Sequence, residues 1–225
     1  MWPFTKITSI REIKSTIPRD ELVRNSRILI VDDEEPALKV DLEKEGFAVH
    51  WCADVDSALL RQIERMNYDL ILLDFSGVGT SLGNQEGLDI LKHVKRVAPA
   101  VMILSYTSKA LKSKHADFYR LTDGVLPKDA GIADSLEKIE AALRAARSAE
   151  NLWKALLNRL GADPTSPEAE ALQKRILKAS KKSDSWQSFL DGISGLVTTD
   201  EGKAAAAAIG RRLLQAIAAA ASTGA

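Results

Sequence analysis

Tyr68-Asp69-Leu70-Ile71-Leu72-Leu73-Asp74 is a short apolar run that ends on a carboxylate. Runs of this length, rich in Leu and Ile and bounded by polar residues, suit a strand buried on both faces of a parallel sheet. Asp74 then falls at the carboxyl edge of that sheet, where open α/β sheets bind ligands. A second run, Arg27-Ile28-Leu29-Ile30-Val31, ends on Asp32-Asp33. Two strands would therefore bring three carboxylates to one edge, an arrangement that repels itself unless a cation joins it. The plainer reading is that Asp32 and Asp33 cap the next helix and Asp74 opens a loop.

Outward from these strands the pattern alternates. Glu35-Pro36 opens a helix with Leu38 and Leu42 on its apolar face, and Gly46 ends it. Phe47 to Trp51 reads as a strand. Asp54 is the expected cap of a helix carrying Val55, Leu59, Leu60, Ile63 and Met66 at helical spacing. From Phe75 to Gln85 the chain holds Gly77, Gly79 and Gly83 but lacks the Lys-Ser/Thr pair of a phosphate-cradling loop, and it reads as a flexible lip beside the carboxylates. Gly87 to Val97 forms an amphipathic helix. Val101 to Leu104 is a strand ending on Ser105, a shorter helix follows through His115 to Tyr119, and Gly124-Val125-Leu126 leads into Pro127-Lys128. Strand and helix alternate five times, which specifies a doubly wound α/β fold with a five-stranded parallel sheet.

The chain has 225 residues, long for one small domain, and its apolar fraction of 45% supplies a core. Lysine and arginine total 31, as do aspartate and glutamate, so no net field draws the chain to nucleic acid or an anionic membrane. Cys52 is the only cysteine, which excludes an internal disulfide and argues against a cysteine-based zinc site. The opening residues lack a secretory leader pattern, and the expectation is a soluble, cytoplasmic protein without membrane or nucleic-acid partners. His50, His93 and His115 are scattered, and Trp2, Trp51, Trp153 and Trp186 read as packing residues.

Asp32-Asp33, Asp74, Ser105 and the loop holding Lys128 follow successive strand ends. Carboxylates are hard ligands of the kind Mg2+ takes, a hydroxyl and an ammonium can hold phosphoryl oxygens, and an Asp can be the nucleophile in phosphoryl transfer. Together they make a candidate phosphoryl-accepting site. From about residue 26 to 148 the chain resembles the response-regulator receiver domain of two-component signalling. The resemblance is carried by Ile28 to Glu34, Asp69 to Asp74, Gly87-Leu88-Asp89-Ile90-Leu91, Ile103-Leu104-Ser105 and Gly124 to Lys128. It implies a flavodoxin-like fold with Asp74 as phosphoacceptor, Asp32 and Asp33 as Mg2+ ligands, the Ser76 carbonyl completing the metal shell, Ser105 as switch hydroxyl and Lys128 on the phosphoryl group. It also implies a histidine kinase or phosphotransfer protein as partner, and no turnover enzyme. Four departures stand out: the long loop after Asp74, Tyr106 where the family usually has a small residue, with Thr107 as the alternative active hydroxyl, Val125 where many members carry an aromatic, and Asp129 rather than Pro after Lys128, which some members share.

The expected organisation is an arm over residues 1–25 with a short helix at Ile7 to Ser15, a receiver over 26–148, and a helical segment over 149–225. The last receiver helix runs from about Gly131 to Arg147 and can continue to Leu160, ending at Gly161. Ser166-Pro167 starts a basic helix, Trp186 to Val197 forms another, and Gly202 to Ala221 is an alanine-rich helix broken at Gly210-Arg211-Arg212. This segment matches no named output domain. It reads as a dimerisation or protein-interaction module with an unidentified protein target. Two other functions compete: a pseudoreceiver scaffold, blocked by Tyr106 and the altered loop, and a DNA-binding regulator using the basic helix.

Overall fold

The computed structural model describes residues 9–13, 17–108 and 115–223. The chain divides into two compact units, Ile17–Ala146 and a second of Arg147–Ala225 with Met1–Thr16. The first holds a five-stranded sheet of β1 (Arg27–Val31), β2 (Ala48–Cys52), β3 (Leu70–Leu73), β4 (Met102–Thr107) and β5 (Gly124–Pro127). All pairings are parallel, in the order β2-β1-β3-β4-β5. Around it run α1 (Arg19–Asn25), α2 (Ala37–Lys44), α3 (Ser57–Glu64), α4 (Gly87–Val97), α5 (Ala116–Leu121) and α6 (Ile132–Ala146).

Every residue of β3 is buried, as the uninterrupted apolar run requires of a central strand covered on both faces. Side chains alternate across a strand. On one face Ile28, Ile30, Leu70, Leu72, Leu104 and Leu126 join a core with Leu22 of α1, Leu42 of α2, and Ile139 and Leu143 of α6. Leu29, Val31, Ile71, Leu73 and Ile103 have the opposite parity and are equally buried, as are Ile63 of α3, Ile90 and Val94 of α4, and Phe118 of α5. β2, at the sheet margin, stays half exposed. This is the doubly wound α/β fold expected from the alternation.

The second unit is helical: α7 (Ala149–Leu160), α8 (Pro167–Ala179), α9 (Trp186–Ser194) and α10 (Asp200–Thr223). Ser148 and Ser166 cap α7 and α8 through their side chains, Pro167 occupies the first position of α8, and Gly161 closes α7 in the left-handed region at φ 64°. α10 packs on α7 and α9. By length and composition alone Asp200–Ala221 could cross a membrane. Here Ala206, Ile209, Leu213, Leu214 and Ile217 of that helix are buried inside the unit.

Several elements differ from expectation. The stretch read as an arm contains α1, whose Leu22 is fully buried in the first unit's core. Within Ile7 to Ser15 a short 3-10 turn spans Ile10–Glu12, capped by Ser9, and residues 7, 8, 14 and 15 lie outside the described residues. Asp54 does not cap α3; Asp56 does, accepting from the Leu59 amide at 2.7 Å. Met66 lies past the helix end at φ 62° rather than on its face. The last helix of the first unit stops at Ala146 and does not run on, because Ser148 takes an extended conformation as the next cap. α10 is continuous through Gly210, where an added Cβ would stand 2.5 Å from Ile193 Cδ1 of α9. The glycine there admits the neighbouring helix instead of breaking its own.

Leu72 is fully buried and pairs in register with Ile30 and Leu104. Leu72→Ala is expected to lower the first unit's stability by about 2–5 kcal/mol, read as a shift of its urea midpoint at unchanged slope.

Candidate functional site

The carboxyl ends of four strands meet on one edge. β1 delivers Asp32 and Asp33, and its neighbour β3 delivers Asp74, whose amide donates to the Val31 carbonyl at 2.9 Å. One ligand oxygen from each of the three carboxylates lies within 4.8 Å of the other two. Lys128, immediately past β5, brings the compensating charge: Nζ stands 2.6 Å from Asp32 Oδ2 and 2.8 Å from Asp74 Oδ2. The first contact is held by charge more than by hydrogen-bond alignment, whereas the second is a well-formed hydrogen bond. Lys128 is itself positioned by its backbone amide, which donates to the Thr107 carbonyl at 2.8 Å.

The three acids differ in setting. Asp32 is 1% exposed; its Oδ1 accepts from the Glu34 amide at 3.1 Å and its carbonyl accepts from the Trp51 indole at 2.9 Å. Burial pushes the Asp32 carboxyl up, and the contacts with Lys128 and Glu34 only partly offset this. Burial alone would lower Lys128, but its pairing with Asp32 and Asp74 outweighs that and holds the ammonium above its usual value. Asp33 is exposed. Asp74 is 15% exposed at the side chain, with Oδ1 accepting from the Phe75 amide at 2.7 Å.

Ser105 lies in β4, in register with Leu73, and is fully buried; its hydroxyl donates to the Gly124 carbonyl over a long 3.4 Å. Ser76 is exposed in the loop, between Phe75, bonded to Asp74, and Gly77, packed on Asp33. Thus Asp32, Asp33 and Asp74 converge, with Lys128 in contact with the first and the last, while Ser105 and Ser76 stand on the neighbouring strand and loop. The side chain of Tyr106 is 3% exposed and packs in the core, with Lys128 Nζ 5.4 Å from the ring centre. A cleft of about 330 Å3 opens beside Asp32, Tyr106 and Lys128, with Glu34, Glu35 and Asp41 also on its wall.

An Mg2+ ion fits this donor set. Three hard carboxylates converge, and Gly77 leaves free the space in which a Cβ would sit 2.6 Å from Asp33 Oδ2. His50, His93 and His115 instead meet Tyr68, Arg96 and Phe75. Burial, with Asp54 and Asp56 nearby, pushes the Cys52 thiol up to about 12, away from the reactive thiolate form. Trp51 and Asp54 are the residues at this edge that the sequence did not mark as part of the site, whereas Tyr106 stands there as expected. Trp51 lies within β2 and reads from sequence as a packing residue, and only tertiary contact shows its indole bonded to the Asp32 carbonyl.

The response regulator receiver domain model matches residues 28–140. The chain belongs to this family. The chain is 30% identical over 129 residues to the transcriptional activator protein PfeR of Pseudomonas aeruginosa, a match covering 56% of this chain and 40% of that protein. Among solved structures, a CheY-like receiver domain protein from Methanospirillum hungatei is 28% identical, covering 54% of this chain and 95% of that one with a TM-score of 0.43. The NtrX receiver of Brucella abortus is 24% identical over 52% of this chain and 98% of that one, with a TM-score of 0.44.

The raised Asp32 carboxyl has a consequence for stability. A carboxyl whose folded value lies above its unfolded one costs stability wherever it is ionised, and the cost disappears as pH falls through the folded value towards about 3.8. Asp32→Asn is therefore expected to melt at the same temperature as the native receiver or higher at pH 7. That difference should shrink by pH 4, as followed by circular dichroism in metal-free buffer.

Proposed function

We propose that the receiver accepts a phosphoryl group on Asp74 from a histidine kinase or phosphotransfer protein and relays the change through protein contacts of the helical unit. The observation that carries this reading is the Lys128 ammonium held 2.6 and 2.8 Å from two carboxylates at the open edge of the sheet. An ion pair so placed offsets the repulsion between Asp74 and an incoming phosphoryl anion.

In the proposed step a carboxylate oxygen of Asp74 attacks phosphorus and forms an acyl phosphate. The bond from phosphorus to the donor imidazole breaks, and its electron pair stays on the nitrogen, which takes up a proton. Water later cleaves the acyl phosphate, returning the carboxylate and inorganic phosphate. Asp33, Asp32, Asp74 and the Ser76 carbonyl would hold Mg2+, which supplies positive charge to the phosphoryl oxygens. Lys128 adds a second cation. The Ser105 hydroxyl has only a long bond to Gly124 and can exchange it for a stronger, charge-assisted bond to a phosphoryl oxygen. Such an exchange biases the end of β4 between two arrangements. The protein acts as a self-modifying switch and not as a turnover enzyme, in the cytoplasm, with homodimerisation through the helical unit.

Tyr106 favours a second reading. Its ring is buried against Lys128, and a ring that keeps the ammonium from following the phosphoryl group would leave a phosphorylation-independent scaffold.

Intact mass after incubation with Mg2+ and acetyl phosphate separates the two. The relay reading expects one added phosphoryl group, absent in Asp74→Asn and absent when the metal is removed with EDTA. No addition on prolonged exposure would establish the scaffold instead.

A further inference from the structure

The glycine-rich segment after Asp74 is tied down from a part of the chain outside the acidic cluster. Asp54, in the turn between β2 and α3, accepts four hydrogen bonds. Its Oδ1 takes the amides of Val55 at 2.7 Å and Gly79 at 2.5 Å; Oδ2 takes the Thr80 amide at 3.3 Å and the Thr80 hydroxyl at 2.9 Å. Three of these four come from the loop, and Ser81 adds a fourth tie, its hydroxyl donating to the Val55 carbonyl at 3.2 Å. The helix-capping role that would explain an aspartate here belongs to Asp56.

The far end of the loop is held separately. Gly87 donates to the Phe75 carbonyl at 2.9 Å, and the Gln85 amide donates to Asp89 at 2.8 Å. Gly87 has no room for a side chain, since a Cβ would fall 2.4 Å from the Asp74 carbonyl oxygen. Between the two anchors the backbone passes Asp33 at Gly77, in the left-handed region at φ 77°, where a Cβ would lie 2.6 Å from Asp33 Oδ2. Val78, the next residue, is fully buried. Only Val78 separates Gly77 from Gly79, so holding Gly79 restricts where Gly77 and the Ser76 carbonyl can stand. A loop rich in glycine has much conformational freedom to lose, and a four-bond anchor removes it in the folded state.

We infer that Asp54 is a positioning residue for the metal side of the acceptor site, acting through Gly79 and Thr80 to fix the 76–77 backbone against Asp33. This rests on the reading of Asp32, Asp33 and Asp74 as an Mg2+ site. Asp54 itself would not touch the ion; it acts as an outer partner that orients the groups that do. Burial alone would push its carboxyl up, but the bonds from Gly79, Val55 and Thr80 outweigh this and hold it below the usual value, so the anchor stays ionised through neutral pH.

The test compares the full chain with Asp54→Ala, Asp54→Asn and Asp33→Ala, measuring Mg2+ affinity by calorimetry and amide exchange over residues 75–86. Asp54→Ala is expected to weaken Mg2+ binding about ten-fold or more, in the range seen for loss of an outer-sphere partner, and to speed exchange at Gly79 and Thr80. Asp54→Asn keeps an oxygen acceptor for Gly79 and should restore part of the affinity. Native-like Mg2+ binding by Asp54→Ala, with binding lost in Asp33→Ala, would overturn the inference and leave the site reading standing. Faster loop exchange with unchanged affinity would overturn it equally. Absence of Mg2+ binding in the native chain would overturn the site reading together with the inference.

Discussion

The contact of Lys128 with Asp32 and Asp74 is the interaction on which the site depends. Parallel strands all end at the same edge, so a sheet in the order β2-β1-β3-β4-β5 necessarily sets the residues after β1 and β3 side by side. Those residues are carboxylates. Burying one of them at 1% exposure is costly, and Lys128 is the group that makes the arrangement tolerable. β5 reaches the site only through β4, and the Lys128 amide is bonded to Thr107 at the end of β4. Any change at the end of β4 therefore reaches the ammonium directly.

The opposed tendencies of the pair are physically consistent. Lys128 gains two anionic partners and is held charged, whereas Asp32 has one cation and one amide against nearly complete loss of water. The net result is a receiver edge that is poorly solvated, carries unbalanced negative charge with three acids to one lysine, and is open enough at Asp33 and Asp74 to admit a cation. Stability is given up locally while the apolar sheet beneath it supplies rigidity. The glycine loop completes the edge by leaving space at Gly77 and Gly87, where side chains would collide with Asp33 and with the Asp74 backbone.

Much of this was legible in the sequence. Uninterrupted Leu/Ile/Val runs marked β1 and β3, and the residues following them were the acids of the site. Alternation with amphipathic segments yielded the sheet and its helices. What escaped were choices between chemically equal candidates: Asp54 and Asp56 are both able to cap α3, and only the folded path of the loop shows that one caps while the other anchors. Gly210 reads as a break because glycine disfavours a helix, but the cost is only about 1 kcal/mol, and packing against α9 overrides it. Leu22 lay in a stretch too short and polar to show periodicity, so its place in the core could not be seen without the sheet. The glycine-rich loop looked mobile because its anchor lies 25 residues upstream of Gly79.

The measurement that reaches the central claim most directly is paramagnetic broadening by Mn2+ in the 15N spectrum of the chain, with the ion standing in for Mg2+ at substoichiometric concentration. Selective loss of the amide signals of Asp33, Phe75, Ser76 and Gly77 is expected, reversed by excess Mg2+ and absent in Asp33→Ala. Broadening spread over other acidic surfaces, with those amides untouched, would contradict the assignment of this sheet edge as a metal-assisted phosphoryl-accepting site.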